Sequence, residues 1–240
     1  MRLAFDLHMH SCLSPCGGEE NTPADLAAMC ALAGLQVVAL TDHNTVGNCP
    51  GFCSAARRNG LLALPGMELC TREEVHVVCL FPDLDSAFAF DKYVRGKLLP
   101  IPNDPETFGP QTLMDDRDGV LGEETAFLAG AADIGVYDAA ALASAYGGVA
   151  FPAHIDRPSF SLLGNLGFWD WGMGFPLAEV SLRCPPELSE RPDLKGVRLI
   201  QNCDAHYLSQ VPDAHQYLEV PEVTPGAVLE WLRLGGRDKR

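Results

Sequence analysis

Positive charge is scarce in this chain: 17 Lys and Arg stand against 32 Asp and Glu, a formal net charge of −15. So acidic a surface lacks a basic stripe to neutralise many phosphates, which predicts no stable binding of duplex nucleic acid. Small anionic substrates stay open, because bound metal ions reverse the local field. Long apolar runs are missing too. None approaches the roughly 20 residues that span a bilayer, so no membrane partner is expected. The opening Met1-Arg2-Leu3-Ala4-Phe5-Asp6 has one basic residue and then an acid, and does not read as a signal peptide. No internal repeat, domain linker, nucleophile elbow or phosphate-loop glycine pattern occurs. Nine cysteines lack framework spacing, and their odd number cannot pair completely. Reduced thiols, mostly small apolar filler, point to a cytoplasmic protein.

What is present is globular material: 240 residues, 47% apolar and 20% charged, with 23 Gly and 18 Pro. That is enough for one domain spanning residues 1–240 with a sizeable core. Short apolar runs alternate with helical stretches. Strands are predicted at 2–7, 36–40, 61–64, 75–81, 148–152, 178–182 and 197–201. Helices are predicted from the Thr22-Pro23 start to Gly34, near 52–58, at 85–99, 123–132 and 138–146, and from Thr224-Pro225 to near Gly235. Wholly apolar strands separated by helices suggest a parallel sheet covered on both sides, and about seven such units favour a barrel. Residues 100–122, rich in Pro, Asp and Gly, read as a hairpin-like excursion that covers a site or decorates the surface.

In parallel barrels, chemistry sits where strands end. Six of the seven histidines fall there: His8, His10, His43, His76, His154 and His206, with His215 the exception. Glu68 and Asp204 share the placement. A His-x-His pair in extended chain aims both rings to one side. Imidazole suits Zn, Fe or Mn, and shared carboxylates let two or three ions sit close together. The pattern implies a multinuclear hydrolytic metal site.

The residues Asp6-Leu7-His8-Met9-His10-Ser11, Thr41-Asp42-His43-Asn44, Gly66-Met67-Glu68, Val75-His76-Val77, Pro152-Ala153-His154 and Asp204-Ala205-His206 appear in order along the chain. Together they resemble the PHP (polymerase and histidinol phosphatase) family of metal-dependent phosphoesterases. The resemblance implies an α/β fold, a distorted (β/α)7 TIM-like barrel, and two or three divalent ions. It implies that His8, His10, Glu68 and Asp204 hold the first ion, Glu68, His76 and His154 the second, and His43 and His206 a third. Where many members carry a further His or Asp for the third ion, this chain has Cys16 at the matching spacing. Thiolate is a legitimate ligand, while Glu19, Glu20 or water are the alternatives and Cys16 would then only pack.

Asp42 points away from His43 along an extended backbone and is expected to orient a ligand or close a turn, and Asp6 is given a similar supporting part. Arg157, three residues beyond His154, is placed as a clamp on substrate phosphate, as in phosphatase members, with a surface salt bridge as the plain alternative. Arg183 is a second candidate for the cavity. Phe168, Trp169 and Trp171 either stack a base or close the core. The implied chemistry is attack of metal-activated water on a small phosphorylated substrate, with a nucleotide possible, charge neutralised by Arg157 and a proton supplied by a histidine such as His206. Competing readings are a phosphodiesterase on short oligonucleotides, an amidohydrolase-type C–N hydrolase and a non-catalytic metal-binding module. Oligomeric state is not legible.

Overall fold

A computed structural model describes residues 1–235. Strand β1 (Arg2–Asp6) runs through a long loop into helix α1 (Pro23–Leu32). Thr22 caps that helix by accepting from the Asp25 amide, and Pro23 occupies a first-turn position that needs no donor. Strand β2 (Val37–Leu40), helix α2 (Cys49–Arg58) and strand β3 (Leu62–Cys70) repeat the unit. Strand β4 (His76–Leu80) and helix α3 (Leu84–Arg95) follow. The excursion holds a one-turn helix α4 (Pro105–Phe108) and a hairpin of β5 (Thr112–Met114) and β6 (Val120–Glu123). Then come α5 (Val136–Ala145), β7 (Val149–Pro152), the short α6 (Leu162–Asn165) and β8 (Ala178–Val180). Strands β9 (Leu199–Gln201) and β10 (Tyr217–Glu219) and helix α7 (Pro225–Arg233) complete the order.

Six strands form one curled sheet in the order β10-β1-β2-β3-β4-β7, and β8 and β9 form a separate parallel pair. A single parallel bridge from Met9 to Ala205 ties the chain after β1 to the chain after β9. The α/β class therefore holds, but among the described residues the strands make a curled half-barrel and no continuous ring of paired strands. The parallel expectation also fails at β4, which runs antiparallel to both β3 and β7. Only residues 71–75 join β3 to β4, far short of the dozen or so that a parallel crossover needs. Strand β3 changes partners midway: residues up to Pro65 pair with β2, and those from Gly66 pair with β4. A side chain at Gly66 would come within 2.7 Å of the Cys79 carbonyl oxygen, so glycine is required at the switch.

The predicted helix over 123–132 is absent. Side-chain amides take up the backbone groups that a helix would have paired internally. Gln111 donates to the Glu124 and Ala126 carbonyls and accepts from the Leu128 amide, while Asn44 donates to the carbonyls of Leu128 and Gly130. The excursion is anchored to α2 by Asp116, which takes hydrogen bonds from Ser54 and Arg58. Strand β10, which lacks a distinct apolar run, pairs with β1.

Alternation with period two sorts the sheet into two faces. Val38 and Leu40 belong to the apolar cluster that includes α1, α2, α3 and α5 residues. Val37 and Ala39 belong to the other, with Phe5, Leu64, Val78, Phe151 and the α7 residues Val228, Leu229, Trp231 and Leu232. The Phe5 and Trp231 rings meet edge to face at 5.6 Å. Glu68 follows Leu64 and Gly66 in the same alternation, and His76 precedes Val78 and Leu80. One face is thus apolar against α7 and turns polar toward the site. No helix among the described residues is long and apolar enough to cross a membrane.

Trp231 fills that apolar end and is 5% exposed. Trp231→Ala is expected to cost about 3–5 kcal/mol of stability, read as a lower denaturant midpoint at unchanged slope.

Candidate metal centre

Glu68 occupies the centre of the polar end, 1% exposed. Its Oε1 lies 2.9 Å from His76 Nδ1, 3.1 Å from His154 Nε2 and 3.2 Å from His8 Nε2. Its Oε2 lies 3.1 Å from His43 Nδ1 and 3.3 Å from His10 Nε2. Asp204 Oδ1 closes the group at 3.0 Å from His10 Nε2 and 3.3 Å from His8 Nε2.

The outer partners of these rings decide which nitrogen carries hydrogen. His8 Nδ1 lies 2.9 Å from both oxygens of Glu179, which can only accept, so His8 donates there and Nε2 keeps a lone pair. Ser14 Oγ donates to Asp42 at 2.7 Å and hence accepts from His10 Nδ1 at 3.0 Å. His10 Nε2 then also carries a lone pair. These two nitrogens face each other at 3.2 Å with carboxylate oxygens beside them, an arrangement of acceptors without a donor. Two imidazole nitrogens on one tetrahedral ion at about 2.0–2.1 Å lie roughly 3.3 Å apart. The residues fit a cation.

The electrostatics agree. Burial opposes charge on His8, yet the fields of Glu179 and Glu68 push its titration well above 6.5. His43 is pushed up against burial by hydrogen bonds to Cys16 and Glu68. Burial works to raise Glu68, but His76 and His8 hold it well below the usual carboxylate range. Asp204 is likewise lowered against burial, chiefly by His8 and His10. Burial lowers His76 to about 4, so it stays neutral, the form that binds metal. The carboxylates demand positive charge in the cavity, whether as protons or as metal ions.

Three groups of donor atoms lie within 4.8 Å of one another: His8, His10, Glu68 and Asp204; His43, Glu68 and His76; and His10, His43 and His206. The first matches the set implied by the resemblance. In the second, His43 takes the place given to His154, although His154 reaches the same Glu68 oxygen as His76. Cys16 Sγ lies 3.2 Å from His43 Nε2. Burial would raise this thiol, but hydrogen bonds with His206 and His43 bring it down to about 5. Glu19 and Glu20 are exposed and belong to none of the groups. His215 is exposed and apart.

Asp42 accepts from the Ser11 amide, Ser11 Oγ and Ser14 Oγ, each at 2.7 Å, and so orients His10 through Ser14. Asp6 accepts from the His8 and Cys203 amides, joining the ends of β1 and β9, and burial raises it to about 7. Arg157 Nη1 pairs with Asp204 Oδ2 at 2.6 Å while its side chain stays 41% exposed. With His43, Glu68, His76, His154, Ser159, Phe160, Asp204 and His206 it lines a cavity of about 110 Å³. Arg183 does not line that cavity. It joins Arg157 along an adjoining groove of about 740 Å³ with Ser181, Pro185 and Gln210. Phe168 and Trp171 are exposed and Trp169 packs on Phe175, all outside both spaces. The aromatic ring at the site is Phe160, whose centroid is 4.9 Å from that of His76.

Sequence reasoning missed Glu179, Ser14 and Phe160. Glu179 had a signal: a lone carboxylate in the apolar run Ala178-Glu179-Val180. It is fully buried and also accepts from Asn202 Nδ2 and the His154 amide. His154, Phe160 and Asp204 hold left-handed backbone conformations at φ 29°, 51° and 49°. Such strain in non-glycine residues gathers where a site dictates geometry.

Comparison with known proteins places this geometry. The lesion-specific endonuclease Q of Pyrococcus furiosus superposes with a TM-score of 0.67 at 18% identity, covering 97% of this chain. This chain spans only 56% of that protein's length. A putative metal-dependent phosphoesterase from Bifidobacterium adolescentis gives 0.61 at 19% identity, covering 98% of this chain and 96% of its own. An amidohydrolase from Chromobacterium violaceum with bound sulfate gives 0.59 at 21%, covering 92% and 93%. No curated protein sequence matches significantly. Endonuclease Q has also been solved with a 27-mer duplex carrying an abasic lesion at its active site. That overturns the inference from net charge: a protein of similar fold is solved with duplex DNA, and an average over the whole surface does not decide what one site attracts. Residues 6–107 match the model of the PHP domain, the family that the ordered motifs from Asp6 to His206 resemble.

Proposed function

We propose that this protein is a metal-dependent phosphoesterase, the whole chain serving as one hydrolase domain acting on a phosphomonoester or nucleotide-type substrate. The observation that carries this reading is the buried Glu68 carboxylate ringed by five imidazoles, with Arg157 at the rim. Two or three divalent ions, drawn from Zn, Fe and Mn, would be held by His8, His10, Glu68 and Asp204; by Glu68, His76 and His154; and by His43 and His206. When bound, such ions acidify water toward neutral pKa and neutralise charge on a phosphoryl group.

The chain's own residues do the rest. Glu179 and Ser14 hold His8 and His10 with Nε2 turned inward. Arg157, tethered through Nη1 to Asp204, has N–H groups left to hold phosphoryl oxygens. His206 Nδ1 donates to the Asp204 carbonyl at 2.9 Å, which leaves Nε2 as its acceptor. We assign Nε2 to a cation; a nitrogen so bound carries no proton, so water supplies the proton to the leaving oxygen. The cavity of about 110 Å³ suits a phosphoryl group, and the larger groove beyond Arg157 suits the remainder of the substrate. Nine free cysteines fit a reducing cytoplasm.

That groove, together with the duplex held by Endonuclease Q, favours a second reading as a phosphodiesterase on nucleic acid. A panel of phosphomonoesters, nucleotides, oligonucleotides, abasic duplexes and amides, with each metal added singly, separates the readings. Turnover of amides alone would rule out a phosphoesterase.

Glu68→Gln is expected to abolish turnover by emptying the metal centre, and full activity at intact metal content by elemental analysis contradicts the reading. Glu179→Gln should weaken metal binding roughly 10–100-fold, since it orients His8 and is not itself a ligand; titration with a metal indicator measures this. A pH effect follows from His8 and His43, whose titration lies above 6.5 in the metal-free fold. Their protonation stabilises that fold fully below 6.5 and is lost as pH rises through the raised values. Melting temperature should therefore fall with rising pH in metal-free protein and stay flat once metal replaces those protons. Equal slopes in both forms would show that protons and metal do not share the site.

A further inference from the structure

We propose that Cys16 makes one part of this centre a thiolate-bearing subsite, formed with His43 and His206, that selects Zn or another thiophilic divalent ion over Mn or Mg. The proposal rests on the metal-dependent reading above and adds a ligand that reading does not require.

Cys16 stands beside a group of three histidines and reaches it through His43. His10, His43 and His206 form one group of neighbouring donor atoms, with the His10 and His206 rings stacked at 4.4 Å. His43 is 5% exposed, and its two nitrogens face different partners: Nδ1 toward Glu68 Oε2, Nε2 toward Cys16 Sγ. His206 turns Nδ1 to its backbone partner, so Nε2 is its free acceptor. A tetrahedral ion with bonds of about 2.3 Å to sulfur and about 2.0–2.1 Å to nitrogen sets S and N roughly 3.5 Å apart. The observed 3.2 Å between Cys16 Sγ and His43 Nε2 is close to that spacing.

The loop holding Cys16 is built onto the centre. The Gly17 amide donates to the Ser14 carbonyl at 2.8 Å, and the Gly18 amide donates to the His206 carbonyl at 2.8 Å. A side chain at Gly17 would fall 2.2 Å from the Ser11 carbonyl oxygen, so the turn closes only with glycine. Ser14, two residues before the thiol, carries the hydrogen bonds to Asp42 and His10. Cys16 is thus fixed by the same contacts that orient His10, and its exposure gives an ion a way in from solvent. On binding, the thiol proton leaves to solvent and sulfur donates its electron pair to the ion. Softness then sets the choice, because thiolate favours Zn where an oxygen ligand favours Mn or Mg.

The test loads chelator-stripped full-length protein with Co(II) and records the near-ultraviolet thiolate-to-cobalt charge-transfer band, with Zn and Mn affinities measured for each equivalent. Wild type is expected to show the band. Cys16→Ser should lose it and bind one Zn equivalent more than about 100-fold more weakly, beyond the roughly 10–100-fold of losing a residue that merely supports a ligand. Cys16→Asp should shift that equivalent toward Mn. A wild-type spectrum without the band, or a band that persists in Cys16→Ser, overturns the proposal. The spectrum needs no turnover: a Cys16-dependent band in a protein inactive on phosphoesters refutes the functional reading alone, and activity without the band refutes this one alone.

Discussion

A carboxylate withdrawn from water and surrounded by imidazoles is the constraint on which the rest of this structure depends. Glu68 sits at 1% exposure with five ring nitrogens within 3.3 Å of its two oxygens. Burial alone would neutralise it, and only positive charge nearby keeps it ionised. That charge must be supplied by protons or by metal, so the fold and its cation are a single electrostatic problem. The outer acceptors Glu179 and Asp42 settle which nitrogen of His8 and His10 turns inward. The left-handed backbones at His154 and Asp204 show the chain yielding locally to keep the ring of ligands closed.

Much of the centre was legible because its residues are chemically rare and sit where strands end. His8, His10, His43, Glu68, His76, His154, Asp204 and His206 could be picked out one by one, and the structure brings all eight together. Glu179 was passed over because its helper role depends on pairing across β8 and β1 termini far apart in sequence. Of the two readings open for the loop aromatics, Trp169 takes core closure and Trp171 stands exposed outside the site, since aromatic content does not say which way a ring faces. Phe160, alone in a polar stretch, reaches the site instead.

The fold was readable as α/β and less so in its closure. Strand β4 broke the parallel order because a five-residue link cannot carry a crossover, a link that looked longer in the sequence because β3 was expected to end at residue 64 and runs on to Cys70. The 123–132 segment carried helical periodicity, yet Gln111 and Asn44 claimed its backbone from outside. No local pattern announces such long-range amide pairing. Net charge failed for a different reason: it sums over a surface and says nothing of the local field at one groove, such as the one lined by Arg157 and Arg183.

The seam between the chain after β1 and the chain after β9 sets an order of events in synthesis. Leu7 donates to the Asn202 side chain, the His10 amide to the Ala205 carbonyl, and the Cys203 amide to Asp6. The earliest ligands emerge from the ribosome almost two hundred residues before Asp204 and His206. Until that late segment arrives, His8, His10 and Glu68 form an incomplete cluster whose last carboxylate has yet to be made. Long-range closure of this kind is slow. A chain still being made therefore lacks the carboxylate and imidazole that complete the cluster until almost two hundred residues after His8.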